Sequence, residues 1–291
     1  LPPLSPQLLV FGPRRADMFG TREGALVALK QLVDPKAKKK PALHSNGISI
    51  VPSPGGHSAW AVDIVDVGGV SLAVTAVLTN ADDIWLLNVA ALADMPKMKA
   101  VRAELKQDAV VAPGMAGLAK VDSNAQGAVD KFKSGLVAQN VWGDDLSSRT
   151  DAVVLGPTIG DITKGKAEIK KLWTKRVKSN TREVVAGELT ASATPDGQIA
   201  WVTAPVVRFE DNDDPLPLRV FAVFEKDASN WKMIALAESV AIDAPGSGLI
   251  YKKTLAPALP KKDEPPPPKK ADDTKTKKTK KKKKKPKSDD S

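Results

Sequence analysis

Gly197-Gln198-Ile199-Ala200-Trp201-Val202-Thr203-Ala204-Pro205-Val206 (GQIAWVTAPV) decides the fold, because the chain carries it twice. The earlier version is GHSAWAVDIV at 56–65, with Ala59 opposite Ala200 and Trp60 opposite Trp201. Moving outward, LAVTAVLT (72–79) matches LRVFAVFE (218–225), and Asp82-Asp83-Ile84-Trp85 matches Ala228-Ser229-Asn230-Trp231. Upstream, Phe11-Gly12-Pro13 matches Leu155-Gly156-Pro157. The offset drifts from 144 to 141 to 146 while the order of elements is kept, as loop insertions within a duplicated unit would produce. Four of the six tryptophans fall in matched pairs.

Each unit reads as a short strand (Leu8–Phe11 or Ala152–Leu155), a loop, a helix and then strands. The second-copy helix carries Ile169, Leu172, Trp173 and Val177 at helical spacing; the first carries Leu26, Leu29 and Val33. One strand runs Leu43–Val51 or Val184–Ala193, and a second holds the Ala-Trp pair. A third alternates Leu218, Val220, Ala222 and Phe224, the period-2 pattern of a half-buried strand. Pro195-Asp196-Gly197 is a hairpin turn, and Trp85 or Trp231 opens the last strand. A further amphipathic helix, about Asn124 to Val141, precedes the second copy; Val129, Phe132 and Leu136 mark its buried stripe and Asn124 its cap. The first copy shows no equivalent, so either its start is truncated or residues 98–122 substitute for that helix.

These boundaries give a first domain at 1–97, a linker at 98–123 with a short helix Met98–Gln107, a second domain at 124–245 and a tail at 246–291. From about Pro257 apolar signals vanish and Pro265–Pro268 gives way to lysine, a composition that cannot bury enough surface to order itself. Net charge is +10, but residues 252–291 hold 16 lysines and 6 acids; the remainder, with 28 of each sign, is neutral. The block Lys280, Lys281, Lys282, Lys283, Lys284 and Lys285 is a polyanion-binding candidate that would act without sequence readout, since no aromatic residue is interleaved.

Absence of cysteine removes disulfides, thiolate metal sites and cysteine nucleophiles. No apolar run reaches the ~18 residues that a membrane-crossing helix needs. The N-terminus as it stands is no signal peptide, which favours a cytoplasmic reading and leaves export open if a signal was removed.

Gly165-Lys166-Ala167-Glu168-Ile169, Gly197–Val202, Leu218–Lys226 and Trp231-Lys232-Met233-Ile234 together resemble the SnoaL-like branch of the nuclear transport factor 2-like superfamily. The resemblance covers roughly residues 8–97 and 124–243. It implies an α+β fold of two cone-shaped domains, each a curved antiparallel sheet packed on helices around an open-ended pocket, and it allows the two to pair as an internal pseudo-dimer. It selects no activity, because the family includes isomerases, cyclases, dehydratases and non-catalytic members.

Candidate chemistry is sparse. A ketosteroid isomerase-like site requires a tyrosine in its oxyanion hole, and the sole tyrosine, Tyr251, lies beyond the second domain. For an acid/base role the candidates are His44, aligned with Val185 and so read as half-buried, and Asp63 and Asp66 on the Trp60 strand; His57 reads as an exposed turn residue. Trp60, Trp201, Arg208 and Glu210 are ligand-lining candidates, with core packing the competing reading for the tryptophans. Asp211–Asp214 reads as a solvated acidic turn and lacks calcium-loop spacing. Gly160–Ala167 imitates a phosphate-binding loop but has alanine where Ser or Thr should hold Mg²⁺. No cofactor or metal is expected. The leading expectation is a non-catalytic module for a small apolar ligand or a partner protein, the alternatives being a SnoaL-like isomerase or cyclase using His44 or Asp63, and polyanion association through the tail.

Overall fold

The computed structural model describes residues 3–12, 17–26, 43–67, 70–105, 118, 120–137, 145–210 and 215–240. It shows two seven-stranded sheets of one topology. The first is built from β1 (Leu4–Phe11), β2 (Met18–Phe19), β3 (Leu43–Ser45), β4 (Ser49–Pro52), β5 (Ser58–Val67), β6 (Val70–Ala81) and β7 (Ile84–Asp94), in the order β2-β1-β7-β6-β5-β3 with β4 also on β5. The second repeats it with β8 (Val153–Leu155), β9 (Ile162–Lys164), β10 (Arg182–Val185), β11 (Thr190–Ala193), β12 (Ile199–Phe209), β13 (Leu216–Asp227) and β14 (Asn230–Val240), in the order β9-β8-β14-β13-β12-β10 with β11 on β12.

Equivalence extends to single residues. Trp60 and Trp201 hold the same register against β6 and β13, and Trp85 and Trp231 open the last strand of each sheet. A β-bulge falls at Val77/Leu78 in one sheet and at Val223/Phe224 in the other, matched positions where the extra residue bends the strand. The hairpin glycines Gly56 and Gly197 take φ of 72° and 65°, a left-handed turn conformation open to glycine at no steric cost. Gly12 and Gly156 each donate their N–H to the carbonyl of an aspartate, Asp17 or Asp161.

Several details differ from the sequence reading. β1 and β8 pair parallel with β7 and β14, so the sheets are mixed rather than wholly antiparallel. The strand expected over 43–51 is broken at Gly47 (φ 116°) into β3 and β4, and the one over 184–193 into β10 and β11. Helix α1 (Met98–Leu105) buries Val101 and Leu105 in the second domain's core. A 3-10 turn, Ser123–Ala125, precedes helix α2 (Gln126–Val137), and the cap is Asp122, whose carboxylate accepts from Asn124 N, rather than Asn124. Leu29, Val33, Tyr251, the Asp211–Asp214 turn and the lysine block lie outside the described residues.

The two faces of each sheet have different fates. On the concave face of the second sheet, Ala200, Val202, Ala204, Val206, Val220 and Phe224 meet α1, α2 and helix α3 (Lys166–Lys178), with Phe132 and Trp173 filling the cone. The opposite faces of the two sheets pack on each other through one shared cluster containing Trp60, Val62, Val77, Val89, Trp201, Phe221, Val223 and Ile234. Phe11 of the first domain sits against Trp201 (6.1 Å between ring centroids) and Phe221 (6.3 Å), and Trp201 stacks on Phe221 at 5.9 Å. The two sheets thus meet through an apolar, aromatic interface, in which such rings contribute beyond the area they bury. Polar bonds fix its register: Ser58 Oγ donates to Asp196 Oδ2 at 2.7 Å, and Arg219 Nη1 to the Gly12 carbonyl at 2.8 Å.

Candidate functional site

The open end of the second cone is a cleft of about 490 Å³, lined on its apolar side by Met98, Pro157 and Leu172 and on its polar side by Thr163, Lys175, Arg176, Thr181, Arg208 and Glu210. Its position follows from the elements around it. α3 lies across the sheet with Ile169 and Trp173 down, which leaves Leu172 and Arg176 at the rim. β12 and β14 run out beneath them, bringing Arg208 and Glu238 to the same end. α1 closes one side, held by Arg102 Nη2 to Glu210 Oε2 at 2.9 Å.

Behind the lining is a buried ion quartet. Arg208 Nε donates to Glu183 Oε1 at 2.7 Å and Arg208 Nη2 to Glu238 Oε1 at 2.5 Å. Arg176 Nη1 and Nη2 reach both oxygens of Glu238 at 2.7 and 3.0 Å, a bidentate pair, and Nη1 lies 3.4 Å from Glu183. Burial works against the Glu238 carboxylate, but the two guanidiniums outweigh it and hold its pKa down to about 2. Burial likewise opposes the Arg208 charge, and the two glutamates overcome it, raising that pKa. Two cations and two anions thus neutralise one another where an unpaired charge would be costly.

The sequence candidates are placed as follows. Arg208 and Glu210 do line the cleft, though Arg208 is spent on its glutamates and Glu210 on Arg102. Trp60 and Trp201 do not line it; they are buried between the sheets. His44 is exposed, not half-buried. It stands opposite Asp66, the register position of Val184, which pairs with Val207 and is itself 52% exposed; alignment with Val185 was one residue off, and a one-residue slip turns a side chain to the other face. Asp66 shares that face. Its pKa is lowered by hydrogen bonds from Ser71 and Asn46. Asp63, paired with Val74, looks to the concave side, so His44 and Asp63 do not converge. Asp63 accepts from Ser45 Oγ at 2.6 Å through Oδ2. His57 is exposed, as read. In the imitation phosphate loop, residues 162–164 are strand β9, and Gly165 (φ 80°) opens α3.

Glu183, Glu238 and Arg176 escaped the sequence reading. The available signal was a charge inside an otherwise apolar strand: Arg208 near the end of IAWVTAPVVRF and Glu238 in NWKMIALAESV. Among the described residues no group of three or more His, Asp or Glu is arranged to hold a metal ion, and no helix is long and apolar enough to cross a membrane.

Residues 141–243 match the SnoaL-like domain family. No curated protein matches the chain. Similar solved structures include an uncharacterised protein with a cystatin-like fold from Caulobacter vibrioides (10% identity, 42% of this chain and 92% of that one, TM-score 0.36). Another is an NTF-2-like protein of unknown function from Shewanella oneidensis (12% identity, 40% and 98%, TM-score 0.31). A third is a de novo designed protein with a curved β-sheet (15% identity, 40% and 98%, TM-score 0.30). Residues 141–243 thus match the SnoaL-like domain family, and they belong to the second of two tandem copies of one curved-sheet fold, since the same strand order recurs in both halves.

Proposed function

We propose that the chain is a non-catalytic tandem module whose second domain holds a small, largely apolar ligand in the cleft between α1, α3 and the ends of β12 and β14. The observation that carries this reading is the pairing of the acids at that end of the cone. A general acid or base works best with a pKa near the working pH, and Glu238, held near 2 by Arg176 and Arg208, is far from it. The quartet instead supplies a rigid polar wall. Opposite it, Met98, Pro157 and Leu172 offer an apolar seat, and Thr163, Thr181 and Lys175 offer hydrogen-bonding groups at the rim, a lining typical of ligand pockets.

The test is a thermal-shift and native mass-spectrometry screen of small amphipathic molecules against the full chain and a Leu172→Trp variant, whose indole fills the cleft. Ligands that stabilise the parent are expected to lose their effect in the variant. Steady multiple turnover of any hit, abolished by Glu238→Gln, would replace this reading with a catalytic one.

A further inference from the structure

Most of the charge that lines the second domain's cleft is already bound within the protein. Arg176 and Arg208 are held by Glu183 and Glu238, and the Arg208 and Glu238 side chains are only 4% and 1% exposed. Glu210 is bound by Arg102, and Asp161 accepts from the Thr158 hydroxyl. Lys175 is different: it lines the cleft, is exposed, and makes no ion pair among the described residues. It stands three residues beyond Leu172 on α3, a spacing that makes the two side chains neighbours on one helix face, so an apolar seat and a cation lie side by side. Thr163 adds a hydroxyl from the facing strand. It pairs with Val154, whose side chain is in the cone's core, and therefore looks into the cone.

A second feature has the same sign. Lys175 also borders a furrow on the outer side of α3, together with Lys170, Lys171 and Lys178. The only acid on that helix is Glu168, which binds Lys171 at 2.6 Å. Outside residues 252–291 the chain is neutral overall, so this concentration of lysine at the cleft's mouth is local. We propose that the cleft takes a small amphipathic anion, its apolar body on Met98, Pro157 and Leu172 and a single anionic head, a carboxylate, at Lys175 and Thr163. The inference rests on reading the cleft as a ligand pocket and adds the sign of the ligand's charge. An anionic head gains a charge-assisted bond from Lys175 without breaking an existing pair, and the lysine face draws anions toward the mouth. A cationic head would have to take Glu210, Glu183 or Glu238 from its arginine, which leaves that arginine unpaired. Asp161 has no cation, but it is folded over its own hairpin: its Cβ and Cγ lie 2.6 and 3.4 Å from where a Cβ on Gly156 would stand. An ammonium there would also meet the field of the lysine face.

The test compares phenylbutyrate, phenylbutanol and phenylbutylammonium, one apolar body with different heads, by ligand-observed NMR titration of the full chain at low ionic strength. The binding scored is the part that Leu172→Trp abolishes, so the lysine-rich tail, present in both proteins, cancels. The acid is expected to bind at least about fivefold more tightly than the alcohol, with the ammonium weakest. Lys175→Gln should bring the acid within about twofold of the alcohol and leave the alcohol unchanged. Lys175→Glu should make the ammonium the tightest, and added salt should shrink every preference. An alcohol or ammonium as tight as the acid, or an acid preference that survives Lys175→Gln, overturns this inference and leaves the cleft as a pocket for another class of ligand. Absence of any binding sensitive to Leu172→Trp overturns the inference and the pocket reading together.

Discussion

The two sheets share a strand order, a bulge position and two tryptophans, yet they put charge in opposite places. At the open end of the second cone stand Glu183, Arg208 and Glu238; the same register positions in the first are Leu43, Val67 and Leu92. In the cross-strand row of Glu238 and Leu92 the pattern reverses, with Ala204 in the second sheet and Asp63 in the first. One backbone therefore supports either a self-neutralised ion quartet or a buried acid, Asp63, that accepts from Ser45. In the second domain α1, α2 and α3 pack over the sheet, and Arg176 on α3 completes the quartet there.

The largest effect should come from giving the second cone the first cone's residues. Arg208→Val leaves Glu183 and Glu238 buried without one of their cations and is expected to cost about 3–5 kcal/mol in urea unfolding. The triple variant Glu183→Leu/Arg208→Val/Glu238→Leu, which copies the first sheet, should recover most of that loss. A single-variant cost below about 1 kcal/mol would mean that the quartet is not a buried unit. Acid provides the same test without mutation. Burial alone would raise the Glu238 pKa, but its arginines bring it from 4.5 to about 2, so its contribution is fully present above the unfolded value and is lost as pH falls from there toward 2. The triple variant should show a flatter stability profile across that window.

Next come the tryptophan twins. Trp60→Ala and Trp201→Ala both open the interface between sheets and should cost about 3–5 kcal/mol each. Trp231→Ala, beneath α2, belongs in the same range, whereas half-buried Trp85→Ala should cost clearly less. Equal losses at Trp85 and Trp231 would show the first cone to be as well covered as the second. A smaller effect is expected from Gly127→Ala, about 1–3 kcal/mol, because the added methyl meets the Trp231 ring. The smallest is Ile50→Lys, within about 0.5 kcal/mol as an exposed substitution, against a loss of several kcal/mol for Ala191→Lys, which buries a charge.

How much of this was legible follows from which physical signals are local. The duplication was readable because Trp60/Trp201 and Trp85/Trp231 sit in period-2 strands bounded by the same turns. α2 was readable from Val129, Phe132 and Leu136. The faces were harder. Alternation shows that Trp60 and Ala61 point opposite ways, but not that the tryptophan side meets the other domain while the alanine side faces the cone. The quartet draws on residues 176, 183, 208 and 238, which meet only through register and helix placement. His44 was misplaced by a single residue because Gly47 divides the strand that the alignment treated as continuous.

A crystal structure resolving side chains, with residues 43–94 superposed on 182–240, tests the duplication most directly. Trp60 should fall on Trp201 and Trp85 on Trp231, with both bulges coincident and Phe11 against Trp201 between the sheets. Tryptophans on unrelated strands, or sheets that meet through their concave sides, would contradict it.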